Sequence, residues 1–180
     1  MAVPFRDLTD DEGLGLAGYL RFVVEPDAKG IRGALFCMNA MGQPVNFSFC
    51  RVDIPASVLW RPGQAKQNAL IALTRSLFGA SLKEPALLLT LAEEVSPRIF
   101  AEELEVLVPL CRVARQEPGV HASGESHESL DDSIHLWWVS PVPGPESPAR
   151  RLLERLRARG LVTEPFDRAA LGIDEAFRQE

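Results

Sequence analysis

The most constraining feature of this sequence is a long run without charge. The eighteen residues from Gly33 to Cys50, GALFCMNAMGQPVNFSFC, include no charged side chain, whereas 24% of the whole chain is charged. A strand that faces water on one side usually carries polar or charged residues at every second position, so this run must be shielded on both faces. Its two extended segments flank AMGQP, whose Gly and Pro are typical of a turn. The run therefore predicts a β-hairpin that is covered on both faces.

The two faces of this hairpin differ in chemistry. With the turn at residues 41–42, the pairs on the aromatic face are Met38 with Val45, Phe36 with Phe47, and Ala34 with Phe49. The other face carries small or mildly polar residues, in the pairs Gly33 with Cys50, Leu35 with Ser48, and Cys37 with Asn46. We expect a helix at 62–78 to cover the aromatic face. For the second face we expect a cover from within the chain, either the C-terminal helix or a short helix at 97–104, and a second protomer is the alternative.

Hydrophobic periodicity and turn residues predict the remaining elements. Strands are predicted at 19–24, 85–91, 105–113 and 133–140, and helices at 62–78, 97–104, 149–160 and 164–177. Pro109 places the strand at 105–113 towards an edge of the sheet, because proline cannot donate a ladder hydrogen bond. The polar segment near 114–132 predicts a mobile loop. We expect residues 1–145 to form a single α/β domain and residues 146–180 a helical C-terminal extension.

The order of these elements is three strands, a helix, a strand, a short helix and a strand. Over residues 19–113 this order resembles that of the ribonuclease H-like fold, in topology alone. The predicted fold class is therefore α/β or α+β, with a mixed sheet and a C-terminal helical tail.

The resemblance implies a metal-binding arrangement. Ribonuclease H-like enzymes hold two divalent cations with carboxylates from the first strand, the helix and the end of the fourth strand. In this chain Glu25 and Asp27 follow the first strand, and Glu93 and Glu94 follow the fourth. If those strands are parallel neighbours, the four acids meet and are the candidate Mg²⁺ ligands. Two departures weigh against metal binding, because the first strand has no internal Asp and residues 62–79 contain no acidic residue.

Two further features are candidates for contact with a partner. Trp137 and Trp138 are adjacent in a predicted strand, so they point to opposite faces. One can fill the core while the other contacts a tail, a partner or a ligand. The C-terminal helix carries a basic face, suited to an acidic partner or to phosphate, that is formed by Arg150, Arg151, Arg155, Arg157 and Arg159.

Charge and composition limit which classes of partner are expected. A net charge of −6 argues against nucleic acid and against an anionic membrane surface. The N-terminal segment lacks the apolar core of a signal peptide, and the longest apolar run, residues 85–92, is too short to span a bilayer. The three cysteines lie singly in apolar runs, which is typical of reduced, buried thiols. We therefore expect a cytoplasmic protein without a membrane partner.

No motif in the sequence fixes a chemistry. His121, His127 and His135 lack zinc-site spacing, and no catalytic residue is predicted. The leading hypothesis is a non-catalytic domain that acts, without a cofactor, through association with a protein partner or with itself as a homo-oligomer. The alternative is a ribonuclease H-like, Mg²⁺-dependent nuclease or a degenerate relative of one. A further alternative is a small-ligand-binding domain.

Overall fold

The computed structural model describes residues 13–56, 58–61, 63–115 and 124–178. Within these residues the strands are β1 (Ala17–Val24), β2 (Gly30–Met38), β3 (Pro44–Asp53), β4 (Leu87–Leu91), β5 (Leu110–Ala114), β6 (Ser126–Ser129) and β7 (His135–Trp138). The α-helices are α1 (Gln64–Ala80), α2 (Pro148–Ala158) and α3 (Glu164–Ala176), and a π-helical turn spans Ile99–Glu103. Among the residues that the structure describes, no helix qualifies as a membrane span.

The described strands form one mixed sheet with the order β3-β2-β1-β4-β5-β7-β6. β1 is parallel to β4, and β4 is parallel to β5. The β1–β2, β2–β3, β5–β7 and β6–β7 pairs are antiparallel. This arrangement confirms the predicted α/β fold with a mixed sheet of ribonuclease H-like topology and helices at the C-terminal end.

The register of the β2–β3 hairpin agrees with the prediction over most of its length. All five predicted pairs from Gly33–Cys50 to Cys37–Asn46 are present. The prediction is wrong only beside the turn, where Met38 pairs with Pro44 instead of Val45. The ladder shifts by one residue between Cys37 and Met38, and an irregularity of this kind is not encoded in the alternation of side chains.

The two faces of the hairpin are covered by helices of the same chain, as expected, but the helix predicted for each face is wrong. α1 packs on the small-residue face, where the thiol of Cys50 donates to the Leu73 carbonyl at 3.8 Å. A Cβ at Gly33 would lie 2.9 Å from the Leu73 side chain, so α1 approaches closely because that position is glycine. α3 covers the aromatic face, where a Cβ at Gly172 would lie 2.6 Å from the Phe47 ring.

Two predictions for the second half of the sheet are also wrong. β5 begins only at Leu110 and lies between β4 and β7, not at an edge. Pro109 precedes the strand, so its missing N–H removes no ladder bond, and its carbonyl accepts the backbone N–H of Leu88 at 2.8 Å. β6 lies within the segment predicted as a loop near 114–132, and residues 116–123 of that segment lie outside the described residues. β6 was not predicted because it is a short edge strand of polar residues, which lacks the apolar alternation typical of strands.

The two C-terminal α-helices cover the sheet face opposite α1. Leu152, Leu153 and Phe166 are buried and share a core with Tyr19 of β1. The Tyr19 hydroxyl donates a hydrogen bond to the carbonyl of Leu161, between α2 and α3. The sheet is therefore a central layer between α1 on one face and α2 with α3 on the other.

Candidate functional site

The fold brings the carboxyl ends of two parallel strands to one edge of the sheet. β1 and β4 are neighbours at the centre of the sheet, with Leu20 opposite Thr90. β1 is also the strand at which the antiparallel hairpin joins the parallel strands. Open α/β sheets bind ligands outside the carboxyl ends of their strands, where the strand order changes direction. This edge is therefore the place where the fold favours a functional site.

An arginine and a glutamate pair at this edge. Arg21 is the charged residue of β1, AGYLRFVV, and its guanidinium forms an ion pair with the carboxylate of Glu94. The second oxygen of that carboxylate, Oε2, accepts the backbone N–H of Phe22 at 2.9 Å. The side chains of Arg21 and Glu94 are 22% and 11% exposed. The pair therefore lies mostly out of water and joins the turn after β4 to β1.

Two more carboxylates act on the same arginine. Burial lowers the pKa of Arg21, and the negative charges of Glu93 and of Asp167 on α3 oppose that shift. The side chains of Glu93 and Asp167 are exposed. We refer to Arg21, Glu93, Glu94 and Asp167 as the carboxyl-end site. One guanidinium and three carboxylates give this site a formal charge of −2.

The turn that carries the two glutamates of this site is held from β5. Arg112 donates to the carbonyl of Ala92 at 3.3 Å and to that of Val95 at 3.2 Å, one on either side of the glutamates. The same guanidinium binds both oxygens of Glu125, at 2.7 and 2.9 Å, and both side chains are 1% exposed. Because a bidentate ion pair has a fixed geometry, Arg112 positions the turn rather than contacting a ligand.

The candidate acids after β1 bind other partners. Glu25 accepts from Arg51 at 2.8 Å and from Arg32 at 2.9 Å, and chiefly the hydrogen bonds from Arg51 lower the pKa of Glu25 to about 2. Asp27 lies in the β1–β2 turn, where its carboxylate accepts a backbone N–H at 3.0 Å. β1 and β4 are parallel neighbours, as the prediction of a shared acidic site assumed. Glu25 and Glu94 nevertheless bind different arginines.

The donor set at this edge does not fit a divalent cation. Among the residues that the structure describes, no group of three or more His, Cys, Asp or Glu side chains is placed to hold a metal ion. Glu25 and Glu94 are engaged by arginines, and α1 contributes no acidic residue. β1 supplies Arg21 where the resemblance implies a carboxylate. The residues present therefore support no metal-dependent step.

The tryptophans predicted to contact a partner are both buried. Trp138 is fully buried, and its Nε1 donates to Glu128 at 3.1 Å. Trp137 is 6% exposed and stacks on His127, with the ring centroids 4.4 Å apart. Glu128 also accepts from Arg150 at 2.6 and 2.7 Å, which lowers the pKa of Glu128. These contacts attach α2 to the β6–β7 hairpin.

The other α2 arginines predicted to contact a partner differ in their surroundings. Arg157 donates to the carbonyl of Leu130 in the β6–β7 turn. Arg151 and Arg155 lie on the exposed face of α2. Arg151 and Arg155 therefore lie where a partner could reach them, whereas Arg157 also holds the hairpin.

A concavity lies at the opposite edge of the sheet. Its volume is about 430 Å³, and its walls include the end of α1, residues 82–85 before β4 and residues 105–108 before β5. Leu82 and Leu107 in these walls are 87% and 89% exposed. The groove is lined by both apolar and polar residues, including the charged residues Lys83, Glu84 and Glu105. Its chemistry thus differs from that of the carboxyl-end site.

Sequence reasoning missed Arg21, Arg112 and Asp167. A signal was present for the two arginines, because each is a lone charged residue in an otherwise apolar strand, and a buried charge needs a partner. Asp167 has no comparable signal, since exposed acids are common on helices. Only the packing of α3 against β1 brings its charge near Arg21.

Comparison with known proteins identifies structural neighbours. The fold is similar to the crystal structure of endonuclease V from Streptomyces avermitilis, with a TM-score of 0.63 and 15% identity over 92% of this chain and 82% of that chain. It is also similar to the catalytic domain of human endonuclease V, with a TM-score of 0.58 and 16% identity over 93% of this chain and 84% of that chain. No family model and no curated protein matches the sequence. At these identities the likeness shows the fold.

These neighbours correct two predictions made from the sequence. The leading hypothesis of a non-catalytic domain that acts through protein association is wrong, because the likeness to two endonucleases favours the alternative of a ribonuclease H-like nuclease or a relative of one. The prediction against nucleic acid as a partner is wrong for the same reason. That prediction rested on the net charge of −6, which averages over the whole surface and does not describe a single edge of the sheet.

Proposed function

We propose that this protein acts on nucleic acid and binds a DNA or RNA strand across the carboxyl-end site. The observation that carries the proposal is the likeness to endonuclease V, which extends over 92% of this chain with a TM-score of 0.63. The placement of a charged, partly buried site at the carboxyl ends of β1 and β4 supports it, because such edges are where open α/β sheets bind ligands.

Basic residues in the loops of the same edge supply attraction for phosphate. β3 runs parallel to β1, because both are antiparallel to β2. The β3–α1 loop therefore lies at this edge, together with the segments that follow β1 and β4. These loops carry Lys29, Arg61 and Arg98, and the side chains of Lys29 and Arg98 are 78% and 72% exposed. Cations in such positions give sequence-independent binding that weakens as salt is added.

An aromatic ring accompanies these cations. Trp60, in the β3–α1 loop, is 39% exposed. Proteins that bind single strands combine basic residues with aromatic rings on which bases stack, at about 1–3 kcal/mol per base. A single-stranded region is therefore the form of nucleic acid that this edge suits best.

The test is fluorescence anisotropy with labelled single-stranded DNA, single-stranded RNA and duplex DNA. The wild-type protein is compared with an Arg61→Ala/Arg98→Ala double variant and with Lys83→Ala, which removes an exposed cation at the opposite edge. We expect salt-dependent binding to single strands. Because each phosphate contact on a single strand contributes about 0.7 to the slope of log K against log salt, the double variant should lose about 1.4 of that slope.

Lys83→Ala is the matched control and should bind like the wild-type protein. Absence of binding to every probe at low salt would contradict the proposal, and so would an equal loss in Lys83→Ala and the double variant. The same mixtures are examined for strand cleavage on gels, with Mg²⁺ and with a chelator. Binding and hydrolysis are thereby measured separately.

A further inference from the structure

We infer that the Arg21 guanidinium is a built-in cation at the place where the ribonuclease H-like fold would hold divalent metal ions. The wild-type protein therefore binds neither Mg²⁺ nor Mn²⁺ at the carboxyl-end site. This inference concerns which cation lies beside Glu94, the Arg21 guanidinium or a divalent metal ion. It does not depend on whether the protein binds nucleic acid.

The geometry of Glu94 is the first support. One of its carboxylate oxygens, Oε1, contacts the Arg21 guanidinium, and the other, Oε2, accepts the Phe22 backbone N–H at 2.9 Å. Mg²⁺ and Mn²⁺ take oxygen ligands, and carboxylates are the main protein donors. The carboxylate that follows β4 already has a cation and a hydrogen-bond donor in contact with it. A metal ion would have to displace that cation to bind.

The charge of Arg21 is the second support. An arginine guanidinium stays protonated throughout the usual pH range. A divalent cation held by Glu94 would lie within a few ångströms of this positive charge, in a region where both side chains are largely shielded from water. Repulsion between close like charges is strong where solvent screening is reduced. Arg21 therefore excludes the ion both by contact and by charge.

Removal of the Arg21 guanidinium should allow a divalent cation to bind at the carboxyl-end site. Glu94 would then lose the cation that contacts it, while the negative charges of Glu93 and Asp167, which already act on Arg21, would still favour a cation there. Mg²⁺ usually keeps several waters and takes only one or two protein carboxylates, and Mn²⁺ also prefers carboxylate and water oxygens, so Glu94 can serve as the protein ligand. The inference thus predicts that a neutral residue at position 21 creates metal binding that the wild-type protein lacks.

The experiment is titration of each protein with Mn²⁺, in which the electron paramagnetic resonance signal of free Mn²⁺ measures binding. The variants are Arg21→Gln, Arg21→Lys, Glu94→Gln and the double variant Arg21→Gln/Glu94→Gln. The matched control is Arg51→Gln, which removes an arginine from Glu25 in the neighbouring ion cluster of the same sheet. No nucleic acid is present, so failure here is distinguishable from failure of the proposed function.

We expect one saturable site in Arg21→Gln, about tenfold or more tighter than any binding by wild type, Arg21→Lys or Arg51→Gln, and lost in the double variant. Saturable binding by the wild-type protein that Glu94→Gln abolishes would overturn the inference. A folded Arg21→Gln without any gain would overturn it as well. Circular dichroism verifies folding, and Arg21→Met replaces Arg21→Gln if the latter does not fold.

Discussion

Arg112→Met is the substitution with the largest expected effect on stability. It removes the guanidinium that binds both oxygens of Glu125 and the carbonyls of Ala92 and Val95. The side chains of Arg112 and Glu125 are both 1% exposed, and breaking a buried ion pair by removing one partner costs about 3–5 kcal/mol. At roughly 2–4 °C per kcal/mol for a chain of this size, we expect Tm to fall by roughly 6–20 °C.

The loss is measured by urea denaturation and by calorimetry at neutral pH. The matched control is Arg98→Met, since Arg98 pairs with Glu102 at 3.9 Å and their side chains are 72% and 64% exposed. An exposed pair of this kind contributes about 0–1 kcal/mol. The double variant Arg112→Met/Glu125→Leu removes both buried charges, and we expect it to recover most of the stability, because an apolar pair can replace a buried ion pair at little cost.

Equal losses in Arg112→Met and Arg98→Met would refute the reasoning, because burial would then have no energetic consequence. A double variant as unstable as Arg112→Met would also refute it, since the loss would come from packing and not from an uncompensated charge. Hydrogen exchange reports the effect on the site. The amide of Glu94 donates to the Leu91 carbonyl at 3.1 Å within the turn that Arg112 holds, and we expect this amide to exchange faster in Arg112→Met.

Three further outcomes are expected. Hydrogen bonds from Arg51 lower the pKa of Glu25 to about 2, below the value of about 4.3 for an unfolded glutamate. Urea melts should therefore show that Glu25→Gln is less stable than wild type at neutral pH, and that the difference vanishes as the pH falls from about 4.3 towards 2; a difference independent of pH would contradict this. Tyr19→Phe removes a donor to a backbone carbonyl between α2 and α3, and should cost about 1–3 kcal/mol in the same assay. Cys37 and Cys111 are fully buried, and burial raises the pKa of both thiols, so a thiol reagent should label them only after unfolding.

Much of the fold was predictable because side-chain alternation is a local property. In the β2–β3 hairpin the charge-free run and one turn were sufficient to fix most of the register, since a slip of one residue exchanges the two faces. The cover of each face was not predictable in the same way, because α1 and α3 both present apolar residues. Which helix packs on which face depends on the fit of the side chains. Gly33 allows Leu73 of α1 to approach one face, and Gly172 of α3 allows Phe47 to approach on the other.

The candidate site was predictable in place but not in composition. The order of elements predicted that the acids after β1 and β4 share an edge, and the parallel pairing which that prediction assumed is present. The partner of each acid depends on contacts between elements that are distant in sequence. Glu25 binds arginines of β2 and β3, and Arg21 rather than an acid contacts Glu94. A periodicity pattern gives the face of a side chain and not the group that it meets there.

The most direct test of the proposed function is to map where a single-stranded oligonucleotide binds. Amide NMR spectra of the labelled protein are recorded during titration with an oligonucleotide of about ten nucleotides, within the usual site size of single-strand binders. The proposal predicts that the largest shifts occur at residues 25–29, 58–61 and 92–98, with little change at 39–43 and 81–86 on the opposite edge. Largest shifts on the opposite edge, or an unchanged spectrum at saturating oligonucleotide, would contradict it.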